Sequence, residues 1–276
     1  MKKFILYFLC LLPFVSGCQN YDPCEIACTP KVLQPYPVII GSGQSNWQGA
    51  DPNVPTQYQG VLPNVKIWEN DNSVISDYDN DTQYNNSFLS GTMSTAIPLA
   101  DSISKLLGQD VAVFSVARGG TTLCDLAGRI DLNASPNEAN DLWHLTEQSW
   151  TKFVAYLATQ GYYPDIQMGV WWQGFADGGA TGNPAGCSFS YYDNLSEWMF
   201  EARNLFNMNT QPFFVIDSAD TGTNNNQRVR DAKIQYSGEN GNTYFIPNTN
   251  HTYIDPSHVD NATHINVANE IIGVVY

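Results

Sequence analysis

Gly43-Gln44-Ser45-Asn46-Trp47 follows directly on the apolar run Pro37-Val38-Ile39-Ile40. A serine on the turn leaving the first strand of an α/β domain lies where such folds gather ligands, beyond the carboxyl ends of the strands. A hydroxyl alone is a poor nucleophile at neutral pH. Chemistry at Ser45 therefore needs a histidine base and donors for an oxyanion. Three later segments offer these. Val116-Ala117-Arg118-Gly119-Gly120-Thr121 sets paired glycines after an apolar strand, where backbone approaches a ligand closely and a peptide N–H is free to donate. Trp171-Trp172-Gln173-Gly174-Phe175-Ala176-Asp177 brings the Gln173 amide as a further donor and Trp172 as an apolar platform for a sugar ring. Removing one oxyanion donor typically costs about a hundred- to a thousandfold in turnover. Asp260-Asn261-Ala262-Thr263-His264-Ile265-Asn266 supplies His264, the histidine best placed to reach a strand-end serine. The plainer readings are a tight turn for the glycines and core packing for the tryptophans. His258, His251 and His144 read as surface or loop-supporting residues.

A catalytic imidazole is normally held in one tautomer by a carboxylate that stabilises the imidazolium. Two arrangements stand open: Asp260 beside His264, or Asp255, which forms an Asp-x-x-His with His258. Gly41-Ser42-Gly43 opens like a dinucleotide fingerprint, but Asn46 stands where the third glycine belongs, and that reading is set aside.

The elements that must position these residues alternate in type. Short β-rich runs at Val38-Ile40, Val65-Trp68, Val111-Val116, Ile166-Trp171, Phe213-Ile216 and Tyr244-Ile246 are interleaved with helical patterns. This predicts an α/β domain with a parallel sheet covered on both faces. Ser94 or Thr95 caps a helix with Leu99, Ile103, Leu106 and Leu107 on one face before Gly108 stops it. Trp150, Phe153, Val154 and Leu157 repeat the pattern, as do Leu195, Trp198, Met199, Ala202, Leu205 and Phe206, while Val267, Ala268, Ile271 and Ile272 mark a closing helix. Glu69 to Ser90, crowded with Asn and Asp, reads as a long surface loop. Within it, Asp77-Tyr78-Asp79-Asn80-Asp81 starts like a calcium loop, but Thr82 and Phe88 replace the glycine and glutamate such a loop requires.

Composition narrows the function classes. The chain has 276 residues and a formal net charge of -15, so nucleic acid is excluded as a partner, since phosphate binding needs a basic face. Lys2-Lys3, the apolar stretch Phe4 to Phe14 and Val15-Ser16-Gly17-Cys18 predict a leader over residues 1–17 with lipidation at Cys18, hence an exported protein anchored to the membrane by lipid. Residues 18–36 then form a tether, and 37–276 a single domain. In an oxidising compartment Cys24, Cys28, Cys124 and Cys187 read as disulfide candidates with three possible pairings. A bridge between Cys124 and Cys187 would staple two rim loops. No histidine lies at a spacing that supports a metal, and neither metal nor cofactor is expected.

Taken in order, the four segments resemble the SGNH-type serine esterases, in particular the sialate O-acetylesterase-like and acetyl xylan esterase-like carbohydrate esterases. That family reads Gly-Gln-Ser-Asn, Gly-Gly-Thr, Trp-Gln-Gly and Asp-x-x-His. Here these stand at Gly43–Asn46, Gly119–Thr121 and Trp172–Gly174, with the fourth block altered. The resemblance implies a flavodoxin-like three-layer α/β/α sandwich and removal of O-acetyl groups from carbohydrates through an acetyl-enzyme on Ser45. It further implies an oxyanion held by the Ser45 amide, Gly119 or Gly120, and Gln173, with Asn46, Trp47, Arg118 and Trp172 at the substrate. Two departures stand out. Asn261 occupies the family's aspartate position three residues before His264, and Phe175 follows Gly174 where the family often has glutamate. The ending Thr263-His264-Ile265-Asn266 favours Asp260 with His264, and Asp255 with His258 is the alternative. A broader short-chain esterase, or a decayed carbohydrate-binding protein on the same fold, are the competing functions.

Overall fold

The computed structural model describes residues 32–84, 88–124, 142–178, 186–218 and 224–276. The expected leader, Cys18, Cys24 and Cys28 lie outside them. In chain order the elements are β1 (Gln34–Gly43), α1 (Ser45–Gln48), β2 (Val61–Glu69), β3 (Val74–Asp79), α2 (Ala96–Leu107), β4 (Val111–Ala117) and α3 (Leu142–Gln160). Then follow β5 (Tyr162–Trp172), α4 (Gly186–Phe189), α5 (Tyr191–Leu205), β6 (Phe213–Ile216), α6 (Asn224–Glu239), β7 (Thr243–Ile246) and α7 (Asn261–Val275).

One sheet runs in the order β3-β2-β4-β1-β5-β6-β7, parallel except for the antiparallel edge strand β3. Successive strand residues point to opposite faces, so Ile39 joins a core with α2 and α7, while Val38 and Ile40 join a second core with α3, α5 and α6. Most residues of the helical stripes pack on the sheet, with Phe114 of β4, Trp150, Phe153 and Phe206 ring on ring, whereas Leu106 and Leu107 at the end of α2 are exposed. Gly108 ends α2 in the left-handed conformation, as the sequence predicts for a helix stop.

Register is what positions the site. Gly43 at the end of β1 aligns with Ala117 at the end of β4 and with Trp172 at the end of β5. The three motif segments therefore leave the sheet side by side. β1 lies between strands reached by connections to opposite sides of it, the switch point at which open α/β sheets bind ligands.

Three features differ from expectation. Glu69–Ser90 is not all loop: Val74–Asp79 folds back on β2, with Trp68 opposite Ile75 and Asp77 bonded to Lys66. α6 was missed because its buried stripe, Val229, Ala232, Lys233 and Tyr236, carries a fully buried lysine where an apolar residue would complete the pattern. Finally, β1 begins at Gln34, inside the expected tether, pairing Gln34 with Tyr162.

Candidate active site

Ser45 is the first residue of α1, held there by the turn around Gly43 and Gln44. Gly43 has a φ of 154°, and a Cβ on it would stand 2.2 Å from the Trp172 carbonyl oxygen, so only glycine lets β1 run so close to β5 at this point. Gln44 then ties the segments together. Its amide nitrogen donates to the Thr121 carbonyl, and its Oε1 accepts from the Gly174 and Phe175 amides, each at 3.2 Å.

The histidine beside Ser45 is His258. Its Nε2 lies 2.9 Å from Ser45 Oγ, and its Nδ1 lies 2.7 Å from Asp255 Oδ2. Slight desolvation raises the Asp255 carboxyl. Hydrogen bonds from His258 and from the Ser257 amide and hydroxyl outweigh it and hold the group far below the ordinary carboxylate range.

His264 and Asp260 are placed elsewhere. His264 is fully buried in the first turn of α7; its Nδ1 lies 2.9 Å from Thr95 Oγ1, and its ring lies edge-on to Trp172 at 5.4 Å between centroids. Burial pulls its pKa down to about 3. Asp260 is the N-cap of α7, accepting from the Thr263 amide at 2.8 Å. The Asp260–Thr263 spacing thus marks a helix start, and the helix carries His264 inward. Asn261 is not a lost catalytic acid: its amide N–H donates to Asp51 Oδ2 at 3.0 Å and its side chain to the Asp51 carbonyl. Of the other histidines, His144 sits on α3 beside Gln148 and Glu147, and His251 lies 5.7 Å from Trp172 with its pKa pulled down to about 4 by burial.

The oxyanion donors also differ from the resemblance. Gly119 gives its N–H to Gln48 Oε1 at 2.8 Å. Gln173 is buried with its amide fully engaged. Nε2 donates to the Thr121 carbonyl at 3.1 Å and to Asp177, and Oε1 accepts from the Tyr191 hydroxyl at 2.9 Å. The amides of Ser45 and Gly120 donate to no acceptor among the described residues, and both residues line the cavity. These two are the donors the geometry leaves for an oxyanion.

Of the four residues expected at a substrate, only Trp172 and Asn46 line the cavity. Trp47 is core: its indole lies against Gly41 and donates to Ser115 Oγ at 2.8 Å. Arg118 is on the exposed turn after β4, its amide bonded to the Gly43 carbonyl at 3.3 Å. Asn46 spends its side chain on protein, donating to the Ser257 carbonyl at 2.9 Å and accepting from the Val259 amide at 3.0 Å. The cavity itself, about 280 Å³, is walled by Gln44, Ser45, Gly120, Trp172, Phe175 and His258 among others.

Behind Gln173 lies a buried charged layer. Asp177 accepts from Gln173 and the Leu123 amide, and burial pushes its carboxyl up to about 7 against those bonds and nearby Lys233. Burial pulls Lys233 down to about 8, opposed by Asp217 and Asp177, while its Nζ donates to the Ile216 carbonyl at 2.9 Å. The bridge Cys124–Cys187, one of the pairings the sequence allows, sits beside Asp177 and joins the segment after β4 to α4. With both sulfurs in the bridge, this cluster offers no thiolate pair to a metal.

No protein-family model and no curated protein sequence matches the chain. Solved structures do. A protein from Arabidopsis thaliana superposes with a TM-score of 0.69 at 14% identity, covering 87% of this chain and 98% of that one. The protein NanS gives 0.59 at 13% identity, over 88% and 96% of the two chains. A carbohydrate acetylesterase from Xanthomonas citri, XAC1771, gives 0.53 at 15% identity; 84% of this chain is covered but only 54% of that one. At such identities the likeness is one of fold: the chain has the α/β/α sandwich that these proteins share.

Proposed function

We propose that the protein is a serine esterase that removes O-acetyl groups from carbohydrates. The observation that carries this reading is the chain of contacts Ser45 Oγ, His258 Nε2, His258 Nδ1, Asp255 Oδ2 at a cavity wall. Ser45 Oγ attacks the ester carbonyl carbon as His258 Nε2 takes its proton, and Asp255 balances the imidazolium. The Ser45 and Gly120 amides receive the oxyanion. As the tetrahedral intermediate collapses, His258 gives its proton to the departing sugar alkoxide. Water then repeats the sequence on the acetyl-enzyme, restoring Ser45 and releasing acetate.

A cavity of about 280 Å³ is at the small end of ligand sites and suits a short acyl chain. The motif resemblance, and a shared fold with a carbohydrate acetylesterase, favour a sugar ester. The decayed-binding alternative draws on Asn261 and Phe175; the first motive lapses because Asn261 belongs to the Asp51 contact, while Phe175 stands on the cavity wall. Lys2-Lys3, the apolar run and Cys18 support placing the enzyme outside the cytoplasm on a lipid anchor.

The test is hydrolysis of p-nitrophenyl acetate, butyrate and octanoate, then of acetylated glycans, with Ser45→Ala as control. Acetate-selective turnover that disappears in the variant supports the reading. Turnover equal in wild type and variant on every ester overturns it.

A further inference from the structure

We propose that Asn46 is a positioning residue that docks the base-bearing turn onto the nucleophile; the inference rests on reading Ser45, His258 and Asp255 as a hydrolytic triad. The 254–258 turn is bonded mainly within itself. Asp255 Oδ1 accepts from the Ser257 and His258 amides at 2.7 and 2.9 Å, Asp255 Oδ2 lies against His258 Nδ1, and the Ile254 amide donates to the His258 carbonyl at 2.9 Å. Those bonds set how the imidazole is turned within its own segment. They do not set where that segment lies relative to Ser45, 213 positions earlier in the chain.

Asn46 makes that connection. It is buried, adjacent to Ser45 on α1, and its two amide atoms grip the residues on either side of His258: Nδ2 the Ser257 carbonyl, Oδ1 the Val259 amide. Asp51 anchors the far end of the same stretch through Asn261. Among the described residues, the Asn46 side chain ties it to α1 on both sides of His258. A short planar amide that both donates and accepts is what this position demands, and a misplacement of about 1 Å between nucleophile and base costs about a hundredfold in rate.

The experiment compares wild type, Asn46→Ala and Ser45→Ala on p-nitrophenyl acetate, alongside labelling by a fluorophosphonate. In labelling, the Ser45 Oγ–P bond forms, the P–F bond breaks and the serine proton passes to His258. Rates are expressed per active site titrated. Asn46→Ala is expected to lower kcat about 30- to 100-fold, to change KM less than threefold, and to slow labelling in parallel. The pH–rate profile should keep its shape, because the Asp255–His258 pair is untouched. A residue that merely stabilised the fold would lower the titrated fraction and leave the rate per site alone, and that result overturns the proposal. Should Asn46→Ala not fold, Asn46→Asp keeps the acceptor for Val259 but replaces the donor to Ser257 by a carboxylate oxygen facing that carbonyl; an unchanged rate per site there overturns the proposal equally. A wild type that neither turns over esters nor labels at Ser45 overturns the triad reading, and the inference with it.

Discussion

At the scale of single residues, the site depends on which of two histidines reaches Ser45. Ser45→Ala and His258→Ala are each expected to lower kcat at least about a thousandfold. His264→Ala is expected to keep the rate per folded molecule within about tenfold while costing about 2–4 kcal/mol of stability, the loss of a buried ring and its bond to Thr95. Esterase assays normalised to folded protein, with urea unfolding, separate the two; a thousandfold loss in His264→Ala would overturn the assignment. Ser45, the serine of this contact chain, was legible from its motif and its place after an apolar run. The base was not. Asp255-x-x-His258 and Asp260–His264 are both plausible on paper, and the second stands at the start of a helix, as the family's ending does. What separates them is an N-cap: Asp260 accepts from the Thr263 amide, so the helix begins there and turns His264 into the core. Gln173 was misread for a related reason. Sequence shows that an amide is available, but not that Asp177, Thr121 and Tyr191 have already engaged it.

The elements of the fold were the most legible part, and the reason is periodicity. Six strands and four helices announced themselves through apolar runs or stripes; β3 did not, because its exposed edge carries Ser76, Asp77 and Asp79 among few apolar residues, and α6 did not because of Lys233. The rim tests this level directly. The Cys124–Cys187 bridge closes a long stretch, with a sequence separation of 63. Replacing both cysteines by serine should lower stability by about 2–5 kcal/mol, read from urea midpoints under non-reducing conditions. An unchanged midpoint would mean that the bridge adds nothing the packing around Asp177 does not already supply. Gly43→Ala is expected to be far more damaging than an ordinary turn substitution, because the new methyl meets the Trp172 carbonyl, backbone that cannot swing aside. Soluble yield and circular dichroism would report this, and a well-folded, active Gly43→Ala would contradict the close approach of β1 to β5.

For the molecule as a whole, buried ionisable groups set how stability follows pH. Burial holds His264 at about 3 and His251 at about 4 in the folded state, whereas both would titrate near 6.5 when unfolded. Between those limits the unfolded chain binds more protons, so stability falls as pH drops below about 6.5, by about 2 kcal/mol per histidine at pH 5. Asp177 acts in the opposite sense. Its raised pKa is a penalty that grows from about pH 4 to about pH 7 as the unfolded carboxyl ionises first. Comparing His264→Gln with wild type at pH 7.5 and pH 5 cancels the Asp177 contribution. The variant should lose less stability on acidification, and parallel losses would show that His264 is not held neutral.

The separation of Ser45 and His258 along the chain has a consequence for when activity appears. Ser45 and His258 stand 213 positions apart, and the bonds that seat the histidine segment beside the serine come from residues 257 to 259. During synthesis the serine is therefore made long before its base exists. A nascent chain that stops short of residue 258 can assemble much of the sheet, yet it holds an unactivated hydroxyl. On the proposed reading, competence arrives only when residues 257 to 259 have joined the fold, however early the sheet forms.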